Sequence, residues 1–297
     1  MEKIIDLHIH TNKSDGLLSP KEIIDYAFKL GLKTISITDH DTIEAYTEDL
    51  FKYANEKDIK IIPGVEISTK INKCGIHVLG YNFDINNTDL IENLKSLRNS
   101  RHNYLNDVTK KLEELGYMVN KEELNKIDAV TKAHIARDVV KNPINKDLLI
   151  REFGYVPEMG EFIESIMNEG CKAYVKKETI SPKEAGKLIR TAGGKVILAH
   201  PVAYKYEDNL TEEDISNIIK DTNADGIETY YIYTDREKKK INEIEKWNKI
   251  AEKYNLITTI GSDFHALDEI HVKLGLINEP INISREQISK IIEELNV

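Results

Sequence analysis

Lys3-Ile4-Ile5-Asp6-Leu7-His8-Ile9-His10 opens the sequence with a β-branched, alternating run. Strand periodicity puts His8 and His10 on one side and Leu7 and Ile9 on the other. Two imidazoles so placed can share one metal ion, although the pair alone is a weak signal and more often not a metal site. The other histidines weigh on that choice. His40 follows Thr38-Asp39, His77 lies in a further strand-like run, His200 follows Ala199, and His265 follows Ser262-Asp263-Phe264. In a parallel barrel the C-terminal strand ends converge on one face, so side chains at such positions can meet.

Outward from this stretch, short β-branched runs alternate with segments of helical period. The candidate strands are 3–10, 33–38, 59–67, 75–81, 195–199, 226–231 and 256–260. Such alternation implies a parallel sheet or barrel. Ser19-Pro20-Lys21-Glu22 and Ser181-Pro182-Lys183-Glu184 are capping boxes with proline at the first helical position, and Ser284 with Gln287 is a third. One stretch breaks the pattern: from about Asp89 to Gly170 the periodicity is almost wholly helical. Leu90, Leu94, Leu97, Leu105, Val108, Leu112 and Leu115 form one face, and Gly116 ends it. Shorter helices are expected over 132–140, 146–153 and 161–168. The expectation is therefore a barrel from residues 1–88 and 171–297, with 89–170 as a helical insertion serving as a cap.

Carboxylates occupy the same strand-end positions. Asp15 sits in Ser14-Asp15-Gly16, Asp39 and Asp41 flank His40, Glu66 follows Pro63-Gly64-Val65, and Asp263 precedes His265. Mixed imidazole and carboxylate donors without cysteine suit zinc, manganese or iron. A bridging carboxylate such as Glu66 lets two ions sit about 3.5–4 Å apart. Burying so many imidazoles and carboxylates together is costly unless a cation pairs them.

Composition narrows the classes. The formal net charge of −10 over 297 residues argues against a general nucleic-acid binder. The run Lys238-Lys239-Lys240 reads as the solvated face of a helix-like segment. An acidic protein still binds a phosphate ester when metal ions supply positive charge. Cys74 and Cys171 make neither a disulfide framework nor a thiolate site and read as free buried thiols. With no membrane-length apolar run and no signal-peptide pattern, the expected location is the cytoplasm.

These residues resemble the PHP (polymerase and histidinol phosphatase) metal-dependent phosphoesterases. The matching motifs are Asp6-Leu7-His8-Ile9-His10-Thr11, Ser14-Asp15-Gly16, Ile37-Thr38-Asp39-His40-Asp41-Thr42, Pro63-Gly64-Val65-Glu66-Ile67, His77-Val78-Leu79-Gly80-Tyr81, Ala199-His200-Pro201 and Gly261-Ser262-Asp263-Phe264-His265, in the family's order. The resemblance implies a distorted (β/α)7, TIM-like barrel holding two or three divalent ions (manganese, zinc or iron). By motif, His8, His10, Glu66 and Asp263 hold one ion. Glu66, His77 and His200 hold a second, and Asp15, His40 and His265 a third. Ala133-His134-Ile135-Ala136-Arg137 and Arg101 resemble the branch acting on nucleoside 3′,5′-bisphosphates and on 5′ ends of short RNA or DNA. Tyr104, Thr131-Lys132 and Ala266 depart from that branch's pattern.

The implied reaction is attack on phosphorus by a hydroxide held between ions. Asp263, His200 and His265 are the candidate catalytic residues; Arg101, His134 and Arg137 are the candidate substrate contacts. The expected partner is a small nucleotide or other phosphomonoester, or short single-stranded RNA or DNA, with no membrane or protein partner. Histidinol-phosphate hydrolysis, metal-dependent amide hydrolysis or deamination, and a non-catalytic metal-binding scaffold are the competing readings.

Overall fold

A computed structural model describes residues 5–72, 74–127, 130–176, 179–235, 237–267, 272–276, 279 and 281–295, and excludes the side chains of residues 101 and 102. The chain divides into two compact units, Met1–Leu94 with Ile180–Val297, and Lys95–Thr179.

The first unit contains β1 (Ile5–Ile9), β2 (Thr34–Ile37), β3 (Lys60–Ile61), β4 (Gly64–Ile71), β5 (Cys74–Tyr81), β6 (Lys195–Leu198), β7 (Gly226–Tyr230), β8 (Tyr233–Thr234), β9 (Lys240–Ile241) and β10 (Ile257–Ile260). One sheet runs β1-β2-β3, all parallel. Another runs β10-β7-β6-β5-β4, in which β10, β7 and β6 are parallel. Single parallel bridges, Ile9 with Phe264 and His40 with Glu66, link the two sheets.

Two features depart from an all-parallel reading. First, β5 runs antiparallel to both β4 and β6. Only residues 72 and 73 separate β4 from β5, far too few for the crossover that parallel pairing requires. Second, the single strand expected over 59–67 is split into β3 and β4 around Pro63, which has no N–H to give a ladder.

Ser19, Ser181 and Ser284 form the expected reciprocal caps of the helices Pro20–Leu30, Pro182–Thr191 and Arg285–Glu294. β1 is buried along its whole length. Leu7 packs in a cluster with Ile62, Leu79, Ile197 and Ile260, and Ile9 in another with Ile35, Ile37 and Phe264. The alternate residues Asp6, His8 and His10 are equally buried. The interior is thus apolar on one side of the strand and ionisable on the other.

Two smaller expectations fail. The Lys238-Lys239-Lys240 segment is a turn entering β9, not a helix. Asp235 accepts from the backbone N–H groups of Glu237 and Lys239, and this local side-chain capping closes the β8–β9 ribbon. Cys74 and Cys171 are free but only partly buried.

The second unit is helical among its described residues. It contains Lys132–Lys141, Lys146–Phe153 and Met159–Phe162, the last continuing as a π-helical turn, Ile163–Met167. Leu105, Val108, Leu112, Ile135, Val139 and Phe162 share its core. Tyr104, at one of the positions departing from the branch pattern, is buried in that core. No described helix is long and apolar enough to cross a membrane.

Candidate metal centre

The first unit brings all nine candidate ligands together, centred on Glu66. Glu66 is 1% exposed and lies in β4, where its backbone bridges to His40. Its two oxygens face different imidazoles. Oε2 lies 3.4 Å from His8 Nε2, 3.2 Å from His10 Nε2 and 3.1 Å from His40 Nδ1. Oε1 lies 2.9 Å from His77 Nδ1 and 3.2 Å from His200 Nε2. Asp263 Oδ1 closes the first set, 3.4 Å from His8 Nε2 and 3.1 Å from His10 Nε2.

Asp15 collects the rest. It lies 3.4 Å from His10 Nδ1, 3.7 Å from His40 Nε2 and 3.4 Å from His265 Nε2. The rings of His10 and His265 stack with centroids 4.1 Å apart. Three groups have donor atoms mutually within 4.8 Å: His8, His10, Glu66 and Asp263; His10, Asp15, His40 and His265; and His40, Glu66 and His77. His10 and His40 therefore each face two groups. His200 joins through Glu66 Oε1 and through its ring contact with His77, centroids 5.3 Å apart.

Local backbone chemistry places these side chains. Asp39 accepts from Thr11 N and Oγ1 and from Ser14 Oγ, at 2.6, 2.7 and 2.6 Å, which pins the loop carrying Asp15. A Cβ at Gly16 would lie 2.5 Å from the carbonyl carbon and oxygen of His10, so only glycine permits this close return. Asp6 accepts from Ser262 N and Oγ and from Gly275 N, tying β1 to the loop that presents Asp263. Asp41, His200 and Asp263 all have positive φ, at 53°, 22° and 53°. Non-glycine residues held there are strained, a feature that clusters at functional sites.

The electrostatics are those of buried carboxylates and imidazoles that offset one another. Burial raises the cost of a charge on Glu66, yet His77, His40 and His8 outweigh it and hold the carboxyl well below its usual range. Asp263 is likewise held low against burial by His8, His265 and His10, and Asp15 by His40, His265 and His10. Burial opposes charging of His10, but contacts with Asp263 and Glu66 raise its pKa to about 10. His8 is raised against the same opposition by Glu228, Glu66 and Asp263. For His40 burial dominates and its pKa falls to about 3.

Buried His8 Nε2, His10 Nε2, His77 Nδ1 and Asp15 Oδ1 have no hydrogen-bond partner despite the close approaches. Orphaned nitrogen and oxygen lone pairs converging at ligand spacing fit divalent metal ions with mixed donors.

The candidate substrate residues lie in the second unit. His134 is the third residue of its helix, where Nδ1 accepts from Thr131 N at 3.1 Å in a capping box. Arg137 is exposed on the same helix. The Arg101 side chain lies outside the described residues.

One buried carboxylate at the centre escaped the sequence reading. Glu228, in β7, lies 3.1 Å from His8 Nδ1 through each oxygen and accepts from His200 N at 3.0 Å. Its signal was a lone carboxylate inside the otherwise strand-forming run Gly226-Ile227-Glu228-Thr229-Tyr230.

An α/β fold carrying overlapping imidazole and carboxylate groups at its strand ends defines a class, the metal-dependent hydrolases. The PHP domain matches residues 6–295, and the chain belongs to that family of phosphoesterases. It is 34% identical over 274 residues, 89% of this chain and 91% of the relative, to a protein of Haemophilus influenzae named 5′-3′ exoribonuclease. It is 27% identical over 269 residues, 89% of this chain and 88% of the relative, to the 3′,5′-nucleoside bisphosphate phosphatase of Chromobacterium violaceum. A Chromobacterium violaceum structure described as an amidohydrolase with bound sulfate superposes with a TM-score of 0.71 at 26% identity, covering 90% of this chain and 89% of that one. A Bifidobacterium adolescentis chain described as a metal-dependent phosphoesterase superposes with a TM-score of 0.73 at 22% identity over 98% and 96% of the two chains, a likeness of fold. The chain is therefore a metal-dependent hydrolase of phosphoric esters.

Proposed function

We propose that this phosphoesterase hydrolyses phosphomonoesters of small nucleotides, 3′,5′-nucleoside bisphosphates such as 3′-phospho-AMP, and acts on 5′ ends of short oligonucleotides. The observation that carries this reading is Glu66, whose two oxygens face separate sets of imidazoles at 2.9–3.4 Å. That arrangement suits a carboxylate bridging two ions. The names of the Haemophilus and Chromobacterium relatives support a nucleotide substrate. In this reading the linked sheets form a distorted (β/α)7 barrel, and the helical unit is the substrate-binding cap.

Manganese, zinc or iron would be held by His8, His10, Asp15, His40, Glu66, His77, His200, Asp263 and His265, and would supply Lewis acidity toward phosphate oxygens and a lowered pKa for water. The chain's own groups do the rest. We assign proton handling to Asp263, His200 and His265. Asp263 stays ionised and accepts from Tyr231 Oη at 3.3 Å. Without metal, burial is outweighed at both His200 and His265, whose proton affinities are raised by Glu66 and by Asp263 with Asp15 respectively. Arg101, His134 and Arg137 are assigned to binding substrate phosphates.

The test is phosphate release, with manganese or zinc supplied, from 3′-phospho-AMP, a short 5′-phosphorylated RNA and histidinol phosphate side by side. The nucleotide substrates are expected to be preferred by at least tenfold in kcat/KM. Preference for histidinol phosphate overturns the substrate assignment. Bound metal with no release from any of them overturns the reading as a nucleotide phosphatase.

A further inference from the structure

We propose that Glu228 is a positioning residue for two candidate ligands at once: it fixes which nitrogen His8 presents and where His200 sits. The inference rests on the metal-centre reading above. Glu228 is 1% exposed, and both of its oxygens lie 3.1 Å from His8 Nδ1. Two carboxylate oxygens equidistant from one ring nitrogen form an acceptor pair, and the geometry places the hydrogen on His8 Nδ1. When His8 gives up its second proton, as ligation requires, the lone pair is left on Nε2, the atom 3.4 Å from both Glu66 Oε2 and Asp263 Oδ1 and without a hydrogen-bond partner. A ligating imidazole commonly has its tautomer fixed in this way by a carboxylate on its far nitrogen.

The second arm reaches His200. Its backbone N–H donates to Glu228 Oε2 at 3.0 Å. His200 has φ 22° and ψ 61°, a conformation that a residue with a Cβ seldom adopts. It stands at the start of the helix Pro201–Glu207 with no side-chain cap, and the bond to Glu228 fixes its backbone N–H there. His8 approaches Glu66 through Oε2 and His200 through Oε1. One carboxylate in β7 thus orients side chains on both sides of the candidate bridging carboxylate. Gly261 makes room for the pair: a Cβ there would lie 2.2 Å from His8 Cβ and 2.3 Å from Glu228 Oε1.

Glutamine cannot reproduce these contacts. It offers one oxygen and one amide nitrogen: with the oxygen kept on His200 N, the amide NH2 stands 3.1 Å from His8 Nδ1, and with the amide reversed, His200 N loses its acceptor. An amide N–H turned toward His8 favours the tautomer that blocks Nε2.

The test uses the whole chain as wild type, Glu228→Gln and Glu228→Asp, with zinc as the probe. Zinc affinity is read by chelator competition, folding by thermal unfolding of the metal-free protein, and His8 ring protonation by long-range 1H–15N spectra of the zinc-loaded protein. Wild type is expected to show His8 protonated at Nδ1 and metallated at Nε2. Glu228→Gln is expected to bind zinc roughly 10–100-fold more weakly, and Glu228→Asp, which keeps the carboxylate, to recover part of that loss. A folded Glu228→Gln protein with wild-type zinc affinity overturns the proposal. So does a wild-type His8 metallated through Nδ1, a result that holds even if the variant does not fold. A wild-type chain that binds no zinc, manganese or iron defeats the metal-centre reading itself, which keeps the two failures apart.

Discussion

Replacing Glu66 by glutamine removes one charge and almost no volume from the middle of the cluster. Two of the three ligand groups contain Glu66, and the group of His10, Asp15, His40 and His265 does not. A tetrahedral protein site binds zinc with about 10–16 kcal/mol, so one donor in four is worth roughly 3 kcal/mol. That corresponds to about a 100-fold loss of affinity at each affected site. At a free metal concentration about tenfold above its own wild-type dissociation constant, each Glu66-containing site should be only about a tenth filled. The Asp15 site should remain filled. Equilibrium dialysis against buffered zinc or manganese, followed by elemental analysis, reads this directly. Asp15→Asn is the mirror experiment: it should empty one site and spare the two that Glu66 serves. If Glu66→Gln keeps the wild-type number of ions at wild-type affinity, Glu66 is not the bridge. If both variants lose the same ions, the separate groups drawn from the geometry are wrong.

Further consequences follow from the same contacts. The raised pKa of His10, about 10 against 6.5 in the unfolded chain, means that its proton stabilises the metal-free fold below pH 6.5. That stabilisation is lost as pH rises through about 10. At pH 7 it is on the order of 4 kcal/mol, so the urea midpoint of chelator-treated protein should fall between pH 7 and 10; a rise would contradict the argument. Gly16→Ala places a Cβ 2.5 Å from His10 backbone atoms that cannot yield. It should cost about 1–3 kcal/mol by thermal or urea unfolding and empty the Asp15 site; a wild-type Tm with full metal content would refute this. His134→Ala removes a cap as well as an imidazole, whereas glutamine at the third helical position still serves a capping box. If His134 binds substrate, His134→Gln should raise KM severalfold while keeping the fold, and an unchanged KM removes it from the substrate contacts.

Most of the candidate ligands were legible because they lie at or beside the C-terminal end of a strand, where period-two alternation and loop placement can be read from neighbouring residues; His77, in the middle of β5, and Glu66, near the start of β4, do not. His8 and His10 are separated from the core face of β1 by alternation alone, and both are buried as that alternation requires. Glu228 was not legible, because its meaning lies in contact with His8, 220 residues away. A glutamate within a strand reads by default as the solvent face. Asp6 and Asp39 stood in quoted motifs without a role, since accepting several backbone and hydroxyl hydrogen bonds is a property of loops folded back on them. The antiparallel β5 was obscured for the opposite reason: strand–helix alternation on either side suggested parallel neighbours, while the decisive signal was only the shortness of the connection after β4.

The centre also accounts for how an acidic chain serves an anionic substrate. Without metal, the carboxylates of Asp15, Glu66 and Asp263 are balanced by protons held on His8, His10, His200 and His265. Those protons occupy the electrostatic role that divalent ions fill in the loaded protein. A bare carboxylate cluster would repel both itself and a phosphate, whereas imidazoles can exchange a proton for a metal ion without moving. Ion entry must therefore release protons, and metal affinity must rise with pH over the range in which the metal-free fold weakens. The two slopes have opposite signs because they describe the same nitrogens. Burial of His8 and His10 in β1 makes that exchange steep, since neither nitrogen can turn to water as an alternative partner.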